Sequence, residues 1–191
     1  MTKLLIIRHG QSEANLQGIF VGHTDSPLSD LGMRQAEVTA DYIVSNFHVD
    51  AVYASDLERA VETAQLAIPS CEPIQTPLLR EMNEGDLMGL TYEQVKENYS
   101  HLPSDSYESV NGESQQQAAA RMTEFLKLLE REPCDHVAAF AHAGIMRCLM
   151  RLLLGEKVSV STLCNPNCNI AVFHWDGQHW SLAAWNPRCD F

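Results

Sequence analysis

A three-layer αβα sandwich, with a mostly parallel central sheet and an antiparallel strand near the C-terminus, is the fold class this sequence predicts. Three observations carry it. Two short apolar runs, residues 3–7 and 136–141, read as strands buried on both faces. Between them, segments with helical apolar spacing alternate with strand-like ones, the pattern of right-handed βαβ crossovers. Residues 170–175 and 179–184, joined through Asp176-Gly177, read as a closing hairpin.

In order along the chain, the first strand stops abruptly at Arg8-His9-Gly10, and a long polar stretch follows to Ser29. Connections of that length are usually functional. Ser29 or Asp30 caps the next helix, whose expected stripe is Met33, Ala36, Ala40, Ile43, Val44 and Phe47. Residues 51–54 form the second strand. Ser55-Asp56-Leu57-Glu58 reads as a capping box, with Ser55 as N-cap of a helix buried through Leu57, Ala60, Val61, Ala64 and Ile68. That places Arg59 in a first helical turn, where the helix dipole disfavours a cation.

Pro69 ends that helix, and residues 73–78, flanked by prolines, suit a short edge strand. A charged loop with two glycines covers residues 79–90. Thr91 and Gln94 box the start of a short helix, and Ser114 with Gln117 opens a longer one striped by Ala118, Met122, Phe125, Leu126 and Leu129. The strand at 136–141 ends at His142-Ala143-Gly144, the same grammar of strand, imidazole and glycine as the opening. Ile145, Leu149, Leu152 and Leu153 carry the helix after it, and Asn165-Pro166-Asn167 is a turn.

The 191 residues suit one domain, 1–191, with a real core. A formal charge of −12 argues against a nucleic-acid partner or an anionic membrane surface, though a few arginines in a cleft can still hold a small anion. No apolar run reaches transmembrane length, the N-terminal run is too short for a signal-peptide core, and the six cysteines are scattered without Cys-x-x-Cys. The expected location is cytoplasmic, with the cysteines acting as small apolar residues. No Gly-x-x-x-x-Gly-Lys-Ser/Thr occurs, which disfavours a P-loop nucleotide hydrolase.

In an open α/β sheet, ligands bind beyond the carboxyl ends of the strands. If the strands ending at Arg8-His9, Ser55 and His142 are neighbours, two histidines and two arginines meet there. That constellation suits a phosphoryl group. Arginine matches phosphate oxygens bidentately and keeps its charge, and a histidine can attack phosphorus. A carboxylic acid must protonate the leaving oxygen, and either Glu81 or Glu84 could reach.

These residues resemble the signature of the histidine phosphatase superfamily, also called phosphoglycerate mutase-like. The likeness runs through Arg8-His9-Gly10 with Asn15, residues 25–29, Ser55-Asp56-Leu57-Glu58-Arg59-Ala60, Leu79-Arg80-Glu81-Met82-Asn83, Gly112-Glu113-Ser114 and Ala141-His142-Ala143-Gly144. The resemblance implies that His9 becomes a phosphohistidine, and that Arg8, Arg59 and His142 hold the phosphoryl oxygens with Asn15 as a further donor. It also implies that Glu81 protonates the leaving alcohol and then activates water. It implies no metal and no cofactor, and a small-molecule phosphate monoester as the partner.

Glu113 could be an ordinary helix start or a residue supporting the acid. Family mutases carry Asn-Glu-Arg-His-Tyr-Gly around the acid and extra segments before the second histidine. This chain has Arg80-Glu81-Met82-Asn83-Glu84-Gly85 and is shorter. The expectation is therefore a phosphomonoesterase, with α-ribazole phosphate or a sugar phosphate among candidate substrates. A phosphoglycerate mutase is the alternative. A non-catalytic phospho-ligand binder is disfavoured because both histidines, both arginines and the acid are present. Glu84 and Leu87 stand where the family often has aromatics, which predicts a more acidic, less aromatic rim.

Overall fold

The computed structural model describes residues 2–102, 106–131, 134–155 and 164–186. Six strands form one sheet in the order β3-β2-β4-β1-β5-β6. They are β1 (Thr2–Arg8), β2 (Ala51–Ser55), β3 (Ile74–Thr76), β4 (His136–Ala141), β5 (Ile170–Trp175) and β6 (Trp180–Trp185). β1 to β4 run parallel, while β5 lies antiparallel to β1 and pairs with β6 as the closing hairpin. The α/β class with its antiparallel C-terminal pair is as expected.

Leu4 to Ile7 are fully buried because helices cover both faces of β1. Leu5 and Ile7 face a layer with Ile43 of α2 (Asp30–Asn46) and Ala64 and Ala67 of α3 (Glu58–Ala67). Leu4 and Ile6 face the other, with Met122 and Phe125 of α5 (Gln115–Arg131) and Ile145 and Leu149 of α6 (Ala143–Leu154). The alternation of side chains along a strand thus sends one apolar run into two cores. The expected α5 stripe is the buried one, residue for residue. The box of α4 (Tyr92–Asn98) forms between Thr91 and Gln94.

Three local expectations need correction. The polar stretch after β1 contains a short helix, α1 (Glu13–Gln17), capped reciprocally by Ser12 and Asn15. Its brevity and lack of an apolar stripe hide it from periodicity. α2 buries Gly32, Ala36, Thr39 and Ile43, while Met33 and Val44 are exposed. The helix turns a small-residue face to the sheet, so its larger apolar residues mislead. Finally, Ser55 belongs to β2, and α3 begins after Leu57 without a side-chain cap. The first N–H of α3, that of Glu58, donates to Asp25 at 2.9 Å instead.

Cys164 and Cys168 are not joined in a disulfide, and Cys189 lies outside the described residues. Among the described residues, no helix is long and apolar enough to cross a membrane.

Candidate active site

β4 lies between β1 and β2, which brings the carboxyl ends carrying Arg8-His9, Ser55 and His142 together. The rings of His9 and His142 stand 5.0 Å apart, centroid to centroid, and both are buried. Arg8, His9, Asn15, Arg59 and Glu81 all line one cavity of about 380 Å³, and Ala143 lines it next to His142.

The orientation of His9 is fixed on both sides of its backbone. Its N–H donates to Ala141 O at 3.0 Å, and its carbonyl accepts from Asn167 Nδ2 at 3.1 Å. Its Nδ1 lies 2.6 Å from Gly10 O, so Nδ1 carries the hydrogen and Nε2 keeps its lone pair. Burial, together with the Arg59 and Arg8 guanidiniums, pushes the His9 imidazole well below its usual range. The same causes, burial first, hold His142 neutral. Gly10 is a steric requirement: a Cβ there would lie 2.5 Å from Gly32 O at the start of α2. The Gly10 N–H donates to Thr63 Oγ1, whose hydroxyl donates to Arg59 O, tying the loop after β1 to α3.

Arg59 is 1% exposed at the N-terminus of a helix, an unfavourable place for a cation. Its Nη1 and Nη2 donate to the carbonyls of Thr24 and Gly22 at 3.0 and 2.9 Å. These carbonyls offset part of the desolvation and aim the guanidinium into the cavity. Arg8 Nη1 donates to Asn165 O. Arg8 Nε and both ring nitrogens of His142 are buried without a hydrogen-bond partner among the described residues. Unsatisfied buried donors are rare. A neutral His142 offers one N–H, so two such donors, Arg8 Nε and one ring nitrogen of His142, stand beside the cavity and suit an acceptor-rich anion.

Asn15 accepts from Asn167 Nδ2 at 3.1 Å and from the Ser12 N–H at 3.3 Å, which leaves its own amide group free to face the cavity.

Glu81 sits at the N-terminus of α6, where its carboxylate accepts from the N–H groups of Gly144 and Ile145 at 3.0 and 3.1 Å. It also accepts from Met82 N–H at 2.9 Å. His142 is the N-cap of α6 but gives no side-chain cap, so Glu81 satisfies the helix start and leaves the imidazole to the cavity. Gly144 makes room for this: a Cβ there would lie 2.4 Å from Glu81 Oε1. Glu84 lines the same cavity, and its Oε2 accepts from the Gly22 N–H at 2.7 Å. Burial and the nearby Glu81 push Glu84 up to about 8. The shift lets Glu84 hold its proton more readily than a surface glutamate does, which tempers the acidic rim that the sequence predicts. Nor is the rim short of aromatics, since Phe20, Tyr92 and Tyr107 line it, while Leu87 is buried in packing.

Two supporting residues, Arg121 and Arg147, escape sequence reading, while Glu113, which the sequence offers as a support for the acid, is held beside them. Arg121 of α5 donates to the carbonyls of Leu78, Arg80 and Glu81 and grips Glu113 with two nitrogens, 2.7 and 2.8 Å. Glu113 in turn accepts from Asn83 N–H. Arg147 reaches the cavity from α6. Its signal was its position five residues after His142, on the same end of the helix. Arg121 had none, because its partners are carbonyls of a distant loop.

The family model for the histidine phosphatase superfamily (branch 1) matches residues 4–188. A metal-independent phosphoserine phosphatase of Arabidopsis thaliana is 29% identical over 97% of this chain and 82% of its own length. An adenosylcobalamin/alpha-ribazole phosphatase of Salmonella typhimurium is 33% identical over 80% of this chain and 79% of its own. Among solved structures, a mycobacterial glucosyl-3-phosphoglycerate phosphatase with bound VO3 superposes with a TM-score of 0.85 at 27% identity, covering 97% of this chain and 99% of that one.

Proposed function

The chain belongs to branch 1 of the histidine phosphatase superfamily, and on that premise we propose that it hydrolyses a small phosphomonoester through a phosphohistidine at His9. The observation that carries the proposal is the pair of buried donors without a partner among the described residues, Arg8 Nε and the single N–H of the neutral His142 ring, beside a neutral His9 whose Nε2 lone pair is free. Such a group holds the charge that grows on the equatorial oxygens as phosphorus is transferred.

In the first step His9 Nε2 bonds to phosphorus as the bond to the alcohol oxygen breaks. That oxygen takes the proton of Glu81. In the second step the Glu81 carboxylate takes a proton from water as the water oxygen attacks phosphorus. The P–N bond breaks, and inorganic phosphate and neutral His9 are restored. Arg8, Arg59, His142 and Asn15 bind the phosphoryl oxygens throughout. Glu81 is favoured over Glu84 as the acid because it is bonded two and three residues beyond His142, while Glu84 is tied to the loop at Gly22. Phosphoserine, α-ribazole phosphate and glucosyl-3-phosphoglycerate, the substrates that the relatives' names imply, are all small phosphorylated metabolites, and the proposed partner is of that kind.

The test is a panel of phosphomonoesters, assayed with chelator present and scored for phosphate release and for phosphoglycerate isomerisation. Phosphate release that survives chelation is the expected result. A strict metal requirement would sink the mechanism, and isomerisation without release would reassign the chain as a mutase. Within the panel, Glu81→Gln is expected to lower kcat by about 10²–10³, and a larger loss in Glu84→Gln would move the acid to that residue.

A further inference from the structure

The turn that precedes β5, residues 165–169, supplies no side chain to the cavity wall, yet three groups of the proposed site hang on it. Asn165 O accepts from the Arg8 guanidinium, and Asn169 O accepts from the Arg8 N–H at 2.9 Å. The His9 carbonyl accepts twice from the turn, from Asn167 Nδ2 at 3.1 Å and from the Cys168 N–H at 3.2 Å. The same Asn167 Nδ2 donates to Asn15 Oδ1 at 3.1 Å. The turn is itself firmly held. The Asn169 N–H donates to Pro166 O at 3.0 Å, and the buried Asn169 Nδ2 donates to Asn165 Oδ1 at 3.0 Å. Cys168 takes a left-handed backbone, φ +57°, which residues other than glycine seldom adopt.

Resting on the phosphatase reading above, we propose that Asn167 is a positioning residue for phosphoryl transfer, whose amide nitrogen fixes which end of the Asn15 amide meets the phosphoryl group. The assignment of both amides follows from backbone groups whose roles are invariant. The His9 carbonyl can only accept, so the atom of Asn167 that faces it is the nitrogen. The Ser12 N–H can only donate, so the atom of Asn15 that faces it is the oxygen. Asn167 Nδ2 spends one hydrogen on His9 O and the other on Asn15 Oδ1. Asn15 Oδ1 is thereby drawn away from the cavity, and Asn15 Nδ2 is left as a donor towards it. Reversed, the Asn15 amide would set an acceptor against phosphoryl oxygens that are acceptors themselves. One nitrogen thus ties the backbone of the nucleophile to the side chain of a phosphate donor. Removing it leaves His9 O the Cys168 N–H, so the loss falls mainly on Asn15.

The experiment is a double-mutant cycle on Asn15 and Asn167, read as kcat/KM for p-nitrophenyl phosphate and as the inhibition constant of inorganic phosphate. Asn15→Ala keeps the bond from the residue-15 N–H to Ser12 Oγ, so α1 retains its start. It is expected to lower kcat/KM by roughly tenfold to a hundredfold and to weaken phosphate binding. Asn167→Ala should fall nearly as far in both measures. The double variant should lie within about twofold of Asn15→Ala, because residues that act as one unit are not additive. Asn167→Asp, which keeps the shape but loses the donor, should fall at least as far as Asn15→Ala, and it takes the place of Asn167→Ala in the cycle if that variant does not fold. A double variant whose loss is the product of the two single losses overturns the inference, since Asn167 would then act independently of Asn15. Native kcat/KM in Asn167→Asp also overturns it. Both results leave the phosphatase reading intact. No phosphate release by the native protein, from p-nitrophenyl phosphate or any other monoester of the panel, refutes both.

Discussion

His9 and Glu84 sit in one cavity, yet burial moves them in opposite directions because each is driven to its uncharged form. For His9 that form is the nucleophile, and the arginines beside it reinforce the effect. For Glu84 it is an acid at a pH where surface glutamates are ionised. The sign for stability follows. A carboxyl raised in the folded state binds a proton that the unfolded chain has already released, so its contribution falls as pH rises from about 4.5 to about 8. Glu84→Gln should therefore melt higher than the native protein by a margin that grows from pH 6 to pH 9 in calorimetric scans. A constant margin would show that Glu84 is not protonated in the folded state. At this scale the sequence was most legible where residue type is chemistry, as with Arg8, His9, Arg59, Glu81 and His142. It was least legible where burial shifts a residue's ionisation. Glu84 reads as an anion until the burial that neutralises it is known.

At the scale of elements, the site depends on holding the loop after β3 against the start of α6. Arg80 pairs bidentately with Asp56 beyond β2, at 2.7 and 2.6 Å. Arg121 collects three carbonyls of residues 78–81 and is itself held by Glu113. Arg121 and Glu113 are largely buried, so removing one partner strands the other. Arg121→Met should cost on the order of 3 kcal/mol in denaturant unfolding and lower kcat more than it raises KM, because Glu81 loses its seat. Stability loss with unchanged kcat would mean that the loop positions itself. A second check is Gly144→Ala, whose methyl would displace the Glu81 carboxylate. It should reduce kcat while leaving the melting temperature nearly unchanged. The capping boxes at Thr91 and Ser114 were legible because both partners lie within one turn. The false box at Ser55 has the same letters, but β2 continues through Ser55 by pairing with β3, so a strand claims the residue first. Sequence spacing cannot rank those two claims.

For the molecule as a whole, strand order decides everything about the site. The two strands with the same terminal grammar, β1 and β4, are adjacent and parallel, with β2 on the other side of β4. That adjacency was the condition on which the sequence argument rested, and apolar runs alone could not supply it, since they give strands but not their order. The cost of the assembly is two buried neutral histidines. Unfolded, each takes up a proton below about pH 6.5, while the folded protein resists it. Stability should thus fall with acidification, by up to about 1.4 kcal/mol per pH unit for each histidine, and urea unfolding at pH 7, 6 and 5 measures it. A flat profile would place the histidines in contact with water. The central claim is the covalent step at His9. Rapid quench with a phosphate-labelled monoester, followed by mapping of the labelled peptide, tests it most directly. The expected result is acid-labile, base-stable label on His9 that vanishes in His9→Ala together with turnover. Label on another residue, or undiminished turnover by His9→Ala, would contradict it.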